Sequence, residues 1–450
     1  MADLVFDPLL TKPDELLLKN LRDDILKATA AKAAPAPSLA TAFNATNLHA
    51  SHDSDPVKRR GHNSQASHSN DHELITYLTA LNTPTDPLFE PTVFSNVTYD
   101  ELKRLPAWLN HWLLQPYLRL ARAVVRVEAD TVMLTHLLLY ATTTIPSALV
   151  MFLWRANTWH GFLHALMQLL YAGPYTLLMH QHIHGGGVLH PRLAAVDAIF
   201  PYITNLFMGH THNSYYYHHV KHHHVEGNGP NDLSSTLRYQ RDSPAHFAAY
   251  VARFILLIWF ELPLYFARRG RWTVAAKTAF WELGSYATYV AMYRVNAKAT
   301  CFVFLWPLVL MRIAMMVGNW GQHALVDHDE PNSDFRSSIT LIDVPSNRHC
   351  FNDGYHTSHH LNPLRHWREH PVAFLKAKAT YAAQQALVFH NIDYMMLTVR
   401  LLMKDYTTLA RCMVPIGDQI SMSMDERVAL LKSHTQRFTE EELIAKFKKT

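Results

Sequence analysis

Cysteine and charged residues are both scarce in this chain of 450 residues. Its three cysteines lie far apart and without CxxC spacing, which excludes a disulfide framework and a cysteine-based zinc module. Charged residues form only 17% of the sequence, whereas an ordinary soluble domain contains roughly a quarter. Lysine and arginine, 41 together, nearly balance the 37 acidic residues, so we expect no nucleic-acid partner.

Hydrophobic residues and histidine are abundant instead. Hydrophobic residues form 49% of the chain, and histidine occurs 31 times. Four apolar stretches have about the length that a helix needs to cross a bilayer. Paired along the chain, they predict four transmembrane helices in two hairpins, 132–179 and 274–317. The four stretches are 132–154, 161–179, 274–293 and 301–317.

A fifth apolar stretch, 250–267, differs from these four. It contains Arg253 and Glu261, which are costly in lipid but well tolerated at a membrane interface. Three arginines closely follow it, and basic residues favour the cytosolic side. We therefore expect this stretch to lie in the interface, with both termini and all histidine clusters on the cytosolic face. The three arginines are Arg268, Arg269 and Arg271.

The rest of the chain is predicted to surround this membrane part. Residues 31–72 are rich in alanine, proline, serine, asparagine and histidine and are predicted to be largely disordered. The predicted fold class is an all-α integral membrane protein, whose four transmembrane helices are capped by a cytosolic helical domain that carries the histidines. The predicted divisions are an N-terminal cytosolic region (1–98), interfacial amphipathic helices (99–131), a membrane and catalytic domain (132–370) and a cytosolic helical tail (371–450).

The first histidine cluster, MHQHIHGGG, directly follows the second predicted span. His180 and His184 are four residues apart, so on a helix their imidazoles share one face and can hold one metal ion. His182 points elsewhere if the helix continues. We expect the following glycines to end this helix.

The second cluster, YYYHHVKHHHVEG, allows two registers. His219 can act with His222 and His223, or with His223 and His224. Both registers place three histidines on one or two adjacent helical turns. The sequence does not choose between them.

Two further elements complete the set. In the third cluster, GYHTSHH, His356, His359 and His360 have the densest spacing that one helical face allows for three ligands. Asn319 and His323, in NWGQH, lie just beyond the last span and are also four residues apart. Imidazole binds iron, zinc, copper and nickel, and about nine histidines are too many for one ion but suit two.

These clusters resemble the three histidine boxes of the membrane-bound fatty acid desaturase family, H-x(3,4)-H, H-x(2,3)-H-H and H/Q-x(2,3)-H-H. Here the boxes read HQHIH, HVKHH or HVKHHH, and HTSHH. The resemblance covers roughly residues 130–370. In acyl-CoA desaturases of this family, an N-x-x-x-H element supplies one histidine ligand and a water-linked asparagine, and Asn319 and His323 match that pattern.

The resemblance implies a non-haem di-iron centre and O2 as co-substrate. The implied reaction introduces a C=C bond into an acyl chain, carried as a membrane lipid or acyl-CoA, in lipid metabolism. Two alternatives stay open: a di-iron hydroxylase of the same superfamily and, more remotely, a membrane protein that handles metal without catalysis. The implied metal ligands are His180, His184, His219, His223, His323, His356, His359 and His360, with either His222 or His224 as the ninth, and Asn319 is implied to contact the centre.

The sequence contains neither an HPGG haem motif nor a strand-bounded GxGxxG, so no bound haem or nicotinamide is expected. The two electrons must then come from an external donor, such as cytochrome b5 with its reductase. We expect that donor to dock on basic side chains near the boxes. The final KFKKT matches a dilysine retrieval pattern, which would place the protein in the endoplasmic reticulum, and it also fits an ordinary lysine-rich helix end. The expected docking residues are Lys221, Arg348, Arg365 and Arg368.

Overall fold

The computed structural model describes residues 4–33 and 61–447 and is mostly helical. Most of the segment predicted to be disordered, 31–72, lies outside the described residues. The described residues of this segment, 31–33 and 61–72, belong to the helices Lys12–Ala33 and Gly61–Asn82. The second of these helices is held by its C-terminal half, where Leu78 and Leu81 are buried.

The N-terminal helices pack against the C-terminal part of the chain. Helix α1, Lys12–Ala33, buries Leu17, Leu18 and Leu21 in one hydrophobic cluster with Phe374. The apolar stripe that the sequence shows in this helix therefore faces protein. The first helices in chain order are α1 (Lys12–Ala33), α2 (Gly61–Asn82), α3 (Tyr99–Lys103), α4 (Ala107–Leu109) and α5 (Gln115–Val124), with a π-helix, Asn110–Leu114, before α5.

Three helical segments among the described residues are long and apolar enough to cross a membrane, Thr131–Leu153, Pro244–Arg268 and Ala297–His323. The first and third coincide with predicted spans, and the second contains the stretch predicted to be interfacial. Large apolar side chains on the same bundle, such as Leu153 and Trp154, point outward. Such a surface is unfavourable in water and suits lipid.

Both long and short helices make up the central part of the chain. The helices from Thr131 to His323 are α6 (Thr131–Thr142), α7 (Thr144–Leu153), α8 (Thr158–Gly185), α9 (Ala194–Asp197), α10 (Asn205–Phe207), α11 (His224–Glu226), α12 (Pro244–Arg268), α13 (Trp272–Val295), α14 (Ala297–Thr300) and α15 (Trp306–His323). Three π-helices interrupt this series, Phe200–Thr204, Tyr216–His223 and Cys301–Leu305, and a 3-10 helix spans Pro191–Leu193.

A small sheet corrects the all-α prediction. Strands β1, Ile339–Ile342, and β2, Leu387–His390, pair in parallel, with Ile339 opposite Leu387. All residues of both strands are buried. A short buried strand shows no alternation of apolar and polar residues, so its sequence cannot be distinguished from that of a buried helix. The sheet lies next to the third histidine box, because the Leu341 N–H of β1 donates a hydrogen bond to the carbonyl of Gly354 at 2.7 Å, two residues before His356.

Short helices complete the C-terminal part. They are α16 (Asp334–Ser337), α17 (His356–Leu361), α18 (His370–Lys376), α19 (Lys378–Ala383), α20 (Tyr394–Leu402), α21 (Tyr406–Cys412), α22 (Met424–Ser433) and α23 (Glu440–Lys446). A π-helix, Val344–Arg348, and two 3-10 helices, Trp367–Glu369 and Gly417–Ser421, lie between them.

Candidate metal centre

Five histidines from all three boxes converge in one group, whose candidate ligand atoms lie within 4.8 Å of one another. On helix α8, His180 and His184 share a face, with ring centroids 4.7 Å apart. His359 of α17 reaches them from the third box, and its Nε2 lies 3.1 Å from that of His180. The group, called the five-histidine group below, comprises His180, His184, His219, His224 and His359.

The second box owes its geometry to a π-helix, Tyr216–His223, which continues into α11. A π-helix bonds each residue to the fifth residue along the chain. Side chains five apart therefore come close, and the Nε2 atoms of His219 and His224 lie 3.0 Å apart. Of the two registers that the sequence allows, this arrangement favours the one with His223 and His224.

Four more histidines form a second group, called the four-histidine group below. The Nε2 atoms of His323 and His356 are 3.0 Å apart, and the rings of His356 and His360 have centroids 4.5 Å apart. His223 joins them from the second box, 5.4 Å from His323 by ring centroid. The group comprises His223, His323, His356 and His360.

The two groups are neighbours. His223 and His224 are adjacent in sequence yet belong to different groups, and their ring centroids are 5.6 Å apart. His224 also lies 5.2 Å from His360 by ring centroid. Two ions, one in each group, would therefore sit close together, as a dinuclear centre requires.

The chemistry of both groups fits metal ions. Burial lowers the pKa values of His219, His224 and His359 well below the ordinary imidazole value, so these rings are neutral near pH 7. Neutral imidazole nitrogens are the metal-binding form of histidine. His184 Nε2 and His360 Nε2 are buried without a hydrogen-bond partner among the described residues, which is costly unless a cation binds them.

Two partners fix the orientation of ligand rings in the four-histidine group. His223 Nδ1 donates to Asp232 Oδ2 at 2.6 Å, and His323 Nδ1 donates to the carbonyl of Ser337 at 2.8 Å. Each bond leaves Nε2 as the free lone pair, which is the usual arrangement beside a metal ion. Although burial opposes ionisation, the neighbouring His223 and its hydrogen bond hold the pKa of Asp232 well below its ordinary value.

Several histidines of the clusters lie outside both groups. His222 turns away, and its Nε2 accepts a hydrogen bond from the Leu233 N–H at 2.8 Å. His182 Nε2 lies 3.1 Å from the carbonyl of Asp197, on the side of α8 away from His180. The helical-face argument therefore holds for the first box. For the second box, the wider π turn is what directs His222 outward.

Asn319 lies beside the centre but is held by protein groups. Its Nδ2 donates to the Tyr250 hydroxyl at 2.7 Å and to the Ser234 carbonyl at 3.0 Å. Both Asn319 and Asp353 line a cavity that reaches the histidines. Burial raises the pKa of Asp353 to about 7, and a hydrogen bond from Gln322 partly offsets that rise.

The docking residues expected from the sequence divide into two kinds. Arg348 and Arg368 are engaged inside the protein, because Arg348 donates to the carbonyls of Leu9 and Asn96, and Arg368 to that of Glu90. Docking of a donor at these positions stays a prediction. Lys221 and Arg365 belong to other environments, with Lys221 over the ring of Tyr216 and Arg365 bonded to Ser358.

A cavity of about 470 Å³ runs from the histidines into the helical bundle. It borders both groups, through His180 and His219 of one and His223 and His356 of the other. Apolar side chains dominate its wall, which suits a hydrocarbon chain. These include Leu169, Leu177, Phe254, Ile258, Leu262 and Met311.

A model of the fatty acid desaturase family matches residues 154–391, more than half of the chain. The chain belongs to the fatty acid desaturase family. The resemblance drawn from the histidine boxes is thereby confirmed, and membership implies a di-iron oxidoreductase that acts on fatty acyl substrates. No curated protein matched the chain, and no solved structure matched it either.

Sequence reasoning missed one residue that supports the third box. Asp14 of α1 is fully buried and accepts hydrogen bonds from the Tyr355 hydroxyl at 2.6 Å and from Asn347 Nδ2 at 3.1 Å. Tyr355 directly precedes His356. The available signal was that Asp14 lies on the apolar stripe of its helix, in line with Leu18 and Leu21.

Proposed function

We propose that this protein is a membrane-bound fatty acid desaturase that uses O2 and two electrons to introduce a C=C bond into an acyl chain. The observation that carries the proposal is the shared wall between the cavity and the two histidine groups. A chain in that cavity would present its methylenes to both groups at once. Two iron ions held there would activate O2, the oxidant that removes hydrogen from an unactivated C–H bond.

The histidines of both groups serve as the iron ligands in this proposal. His224 completes the five-histidine group, and His222 has a supporting role because its Nε2 is occupied by Leu233. Asp232 and the Ser337 carbonyl keep two ligand rings in position through their Nδ1 atoms. Rings fixed in this way lose little freedom when an ion binds, which favours affinity.

The cavity wall has two tasks in the reaction. Its apolar side chains exclude water from the neighbourhood of the histidines, which protects a reactive centre from side reactions. They also hold the chain in a fixed direction, so that one carbon pair lies nearest the ligands. The selected bond thus depends on the length and shape of the cavity, while the acyl carrier, lipid or CoA, would lie outside it.

We further propose four transmembrane helices, with helix α12 lying along the interface. Contacts at both ends of α12 support this placement. Near its start, the Tyr250 hydroxyl donates to the Ser234 carbonyl at 3.2 Å; near its end, the Tyr265 hydroxyl donates to Glu226 at 2.5 Å. A helix whose two ends contact the same histidine-bearing segment runs beside that segment. The histidines then lie on the cytosolic side of the endoplasmic reticulum membrane, where an external donor such as cytochrome b5 delivers electrons.

Lipid profiling by mass spectrometry tests the function directly. A host expressing the chain should gain acyl chains that lack two hydrogens, and the gain should vanish with H359A, which removes one ligand of the five-histidine group. H182A is the matched control, since His182 lies on the same helix as His180 but faces Asp197. Chains that gain one oxygen would instead identify a hydroxylase. Identical lipids with the wild type and H359A would contradict enzymatic action on lipids.

A further inference from the structure

A buried ion pair interrupts the apolar wall of the cavity. Arg312 of α15 and Glu282 of α13 are only 8% and 4% exposed, and both line the cavity. Both helices belong to the proposed transmembrane hairpin. Charged residues inside a membrane bundle are expensive, and those that face a cavity commonly mark a ligand pathway.

The pair satisfies only part of its own hydrogen-bonding capacity. Arg312 Nη2 donates to Glu282 Oε1, and the Tyr286 hydroxyl donates to the same oxygen at 2.5 Å. The Arg312 guanidinium also contacts the Tyr286 side chain, whose ring centroid lies 5.7 Å away. Glu282 Oε2 makes no hydrogen bond to any residue that the structure describes, so an acceptor lies beside guanidinium donors at the cavity.

This combination selects one kind of ligand group. The guanidinium and the carboxylate neutralise each other, so a charged ligand group would gain little electrostatic energy at this site. Glu282 would also repel a carboxylate on the ligand. A neutral hydroxyl both accepts and donates, and it can bond to Arg312 and Glu282 together. We propose that the Glu282–Arg312 pair binds a hydroxyl group carried on the hydrocarbon chain of the substrate, an inference that rests on the proposed desaturase function.

The position of the pair gives this contact a role in selecting the bond. Arg312 precedes His323 by about three turns of the same helix, which is ~16 Å along its axis. A hydroxyl held at Arg312 therefore fixes which carbons lie beside the histidines. The pair would act as a specificity determinant at a distance from the reacting atoms.

A second ion pair offers a matched control. Arg253 and Glu261 of α12 are joined at 3.1 Å and lie in another long apolar helix. Neither residue lines the cavity. The control pair lies within one helix and is more exposed than the Glu282–Arg312 pair. If the Glu282–Arg312 pair only neutralised charge, replacing either pair would leave the order of affinities for hydroxylated chains unchanged. If the Glu282–Arg312 pair binds a hydroxyl, only its replacement would abolish the preference for hydroxylated chains.

The experiment measures binding to the purified full chain in detergent. The probes are methyl esters of one chain length, either unsubstituted or with a hydroxyl at successive carbons, so that no carboxylate competes for Arg312. Affinity is read from displacement of a fluorescent polyene chain. The test variant is E282L/R312M, because apolar residues of similar size commonly replace a buried ion pair without loss of stability. The control is E261L/R253M.

We expect the wild type and the control to bind one or two adjacent hydroxyl positions about tenfold more tightly than the unsubstituted ester, since hydrogen bonds to charged groups are among the stronger ones. E282L/R312M should bind the whole series alike. Equal affinities across the series in the wild type would overturn the inference, because water alone would then satisfy the pair. A positional preference that survives in E282L/R312M would overturn it too. Binding is measured without turnover, so the outcome of this experiment does not depend on the outcome of the lipid-profiling test.

Discussion

The Nε2 atoms of His219 and His224 lie 3.0 Å apart, although the residues are five positions apart in sequence. In an α-helix, residues at that spacing point to different sides. The π-helix Tyr216–His223 brings them onto one face and gives the second box its third participant. π-helical turns are rare and occur often at functional sites, so this turn is a structural mark of the centre.

The register of the second box can be tested by metal content. H224A should lose roughly half of the bound iron, because it removes one ligand of the five-histidine group and leaves the four-histidine group intact. H222A should keep its iron and lose thermal stability, since Leu233 N–H then has no acceptor. Iron per chain, measured by elemental analysis of purified protein, distinguishes the two. Loss of iron in H222A with retention in H224A would reverse the assignment.

A similar comparison is available on helix α8. H184A should abolish activity and reduce iron content, because His184 faces the five-histidine group. H182A should be much milder, since its ring contacts Asp197 on another side of the helix. Turnover and iron content should be measured on both variants in one host. Equal losses would show that the first box does not work as a single helical face.

The bond between Asp232 and His223 predicts a graded effect on metal affinity. D232N keeps an oxygen that can accept from His223 Nδ1 but removes the negative charge, so His223 becomes a weaker ligand. We expect iron affinity to fall roughly 10- to 100-fold in a competition with a chelator. E226Q is the control, because Glu226 bonds to Tyr265 and Arg269 and to no ligand ring. Equal affinities in both variants would exclude a role for the Asp232 charge.

Asp14 predicts a pH dependence of stability. Burial raises its pKa from 3.8 to about 6, and hydrogen bonds from Tyr355, Thr11 and Asn347 only partly oppose this. The folded state therefore holds the proton more tightly than the unfolded state. The resulting stabilisation is complete below pH 3.8 and is lost as pH rises through about 6, a change of about 3 kcal/mol.

D14N cannot ionise and should lack this dependence. The difference in melting temperature between D14N and the wild type should shift in favour of D14N from pH 4 to about pH 6, the pKa of Asp14, and stay constant above that. Differential scanning fluorimetry in detergent measures both proteins in the same buffers. Parallel curves across this range would show that Asp14 ionises normally in the folded protein.

The proposed topology is testable by cysteine labelling in sealed microsomes. In a chain with its three cysteines replaced by serine, R269C should react with an impermeant reagent from the outer, cytosolic face. R155C, just beyond helix α7, should react only after detergent is added, because it lies at the other end of the first proposed hairpin. Protection of R269C until detergent is added would mean that α12 crosses the membrane.

The sequence could predict the histidine sets because each box is local. His180 and His184, or His356 and His360, share a face through helical spacing alone. The family match and the grouping of nine histidines agree with that reasoning. The register of the second box could not be determined from the sequence, because no amino-acid composition distinguishes a π-helix from an α-helix.

Other features depend on contacts between distant parts of the chain. The burial of Asp14 against Tyr355 joins residues more than 300 positions apart, and no local pattern encodes it. The pairing of β1 with β2 also joins separate parts of the chain, since Ile339 lies opposite Leu387. Glu282 and Arg312 lie in two separate predicted spans, and only the structure shows that they form a pair beside one cavity.

Each histidine group draws ligands from both sides of the long helices α12 to α15. His180 and His359 of the five-histidine group are 179 residues apart. Neither group is complete until the ribosome has synthesised the chain through the third box and the intervening helices have been inserted. A metal ion can therefore meet its full set of histidines only after residue 360 has been synthesised, and a chain stalled before residue 356 would expose incomplete sets to whichever metal ion the cell contains.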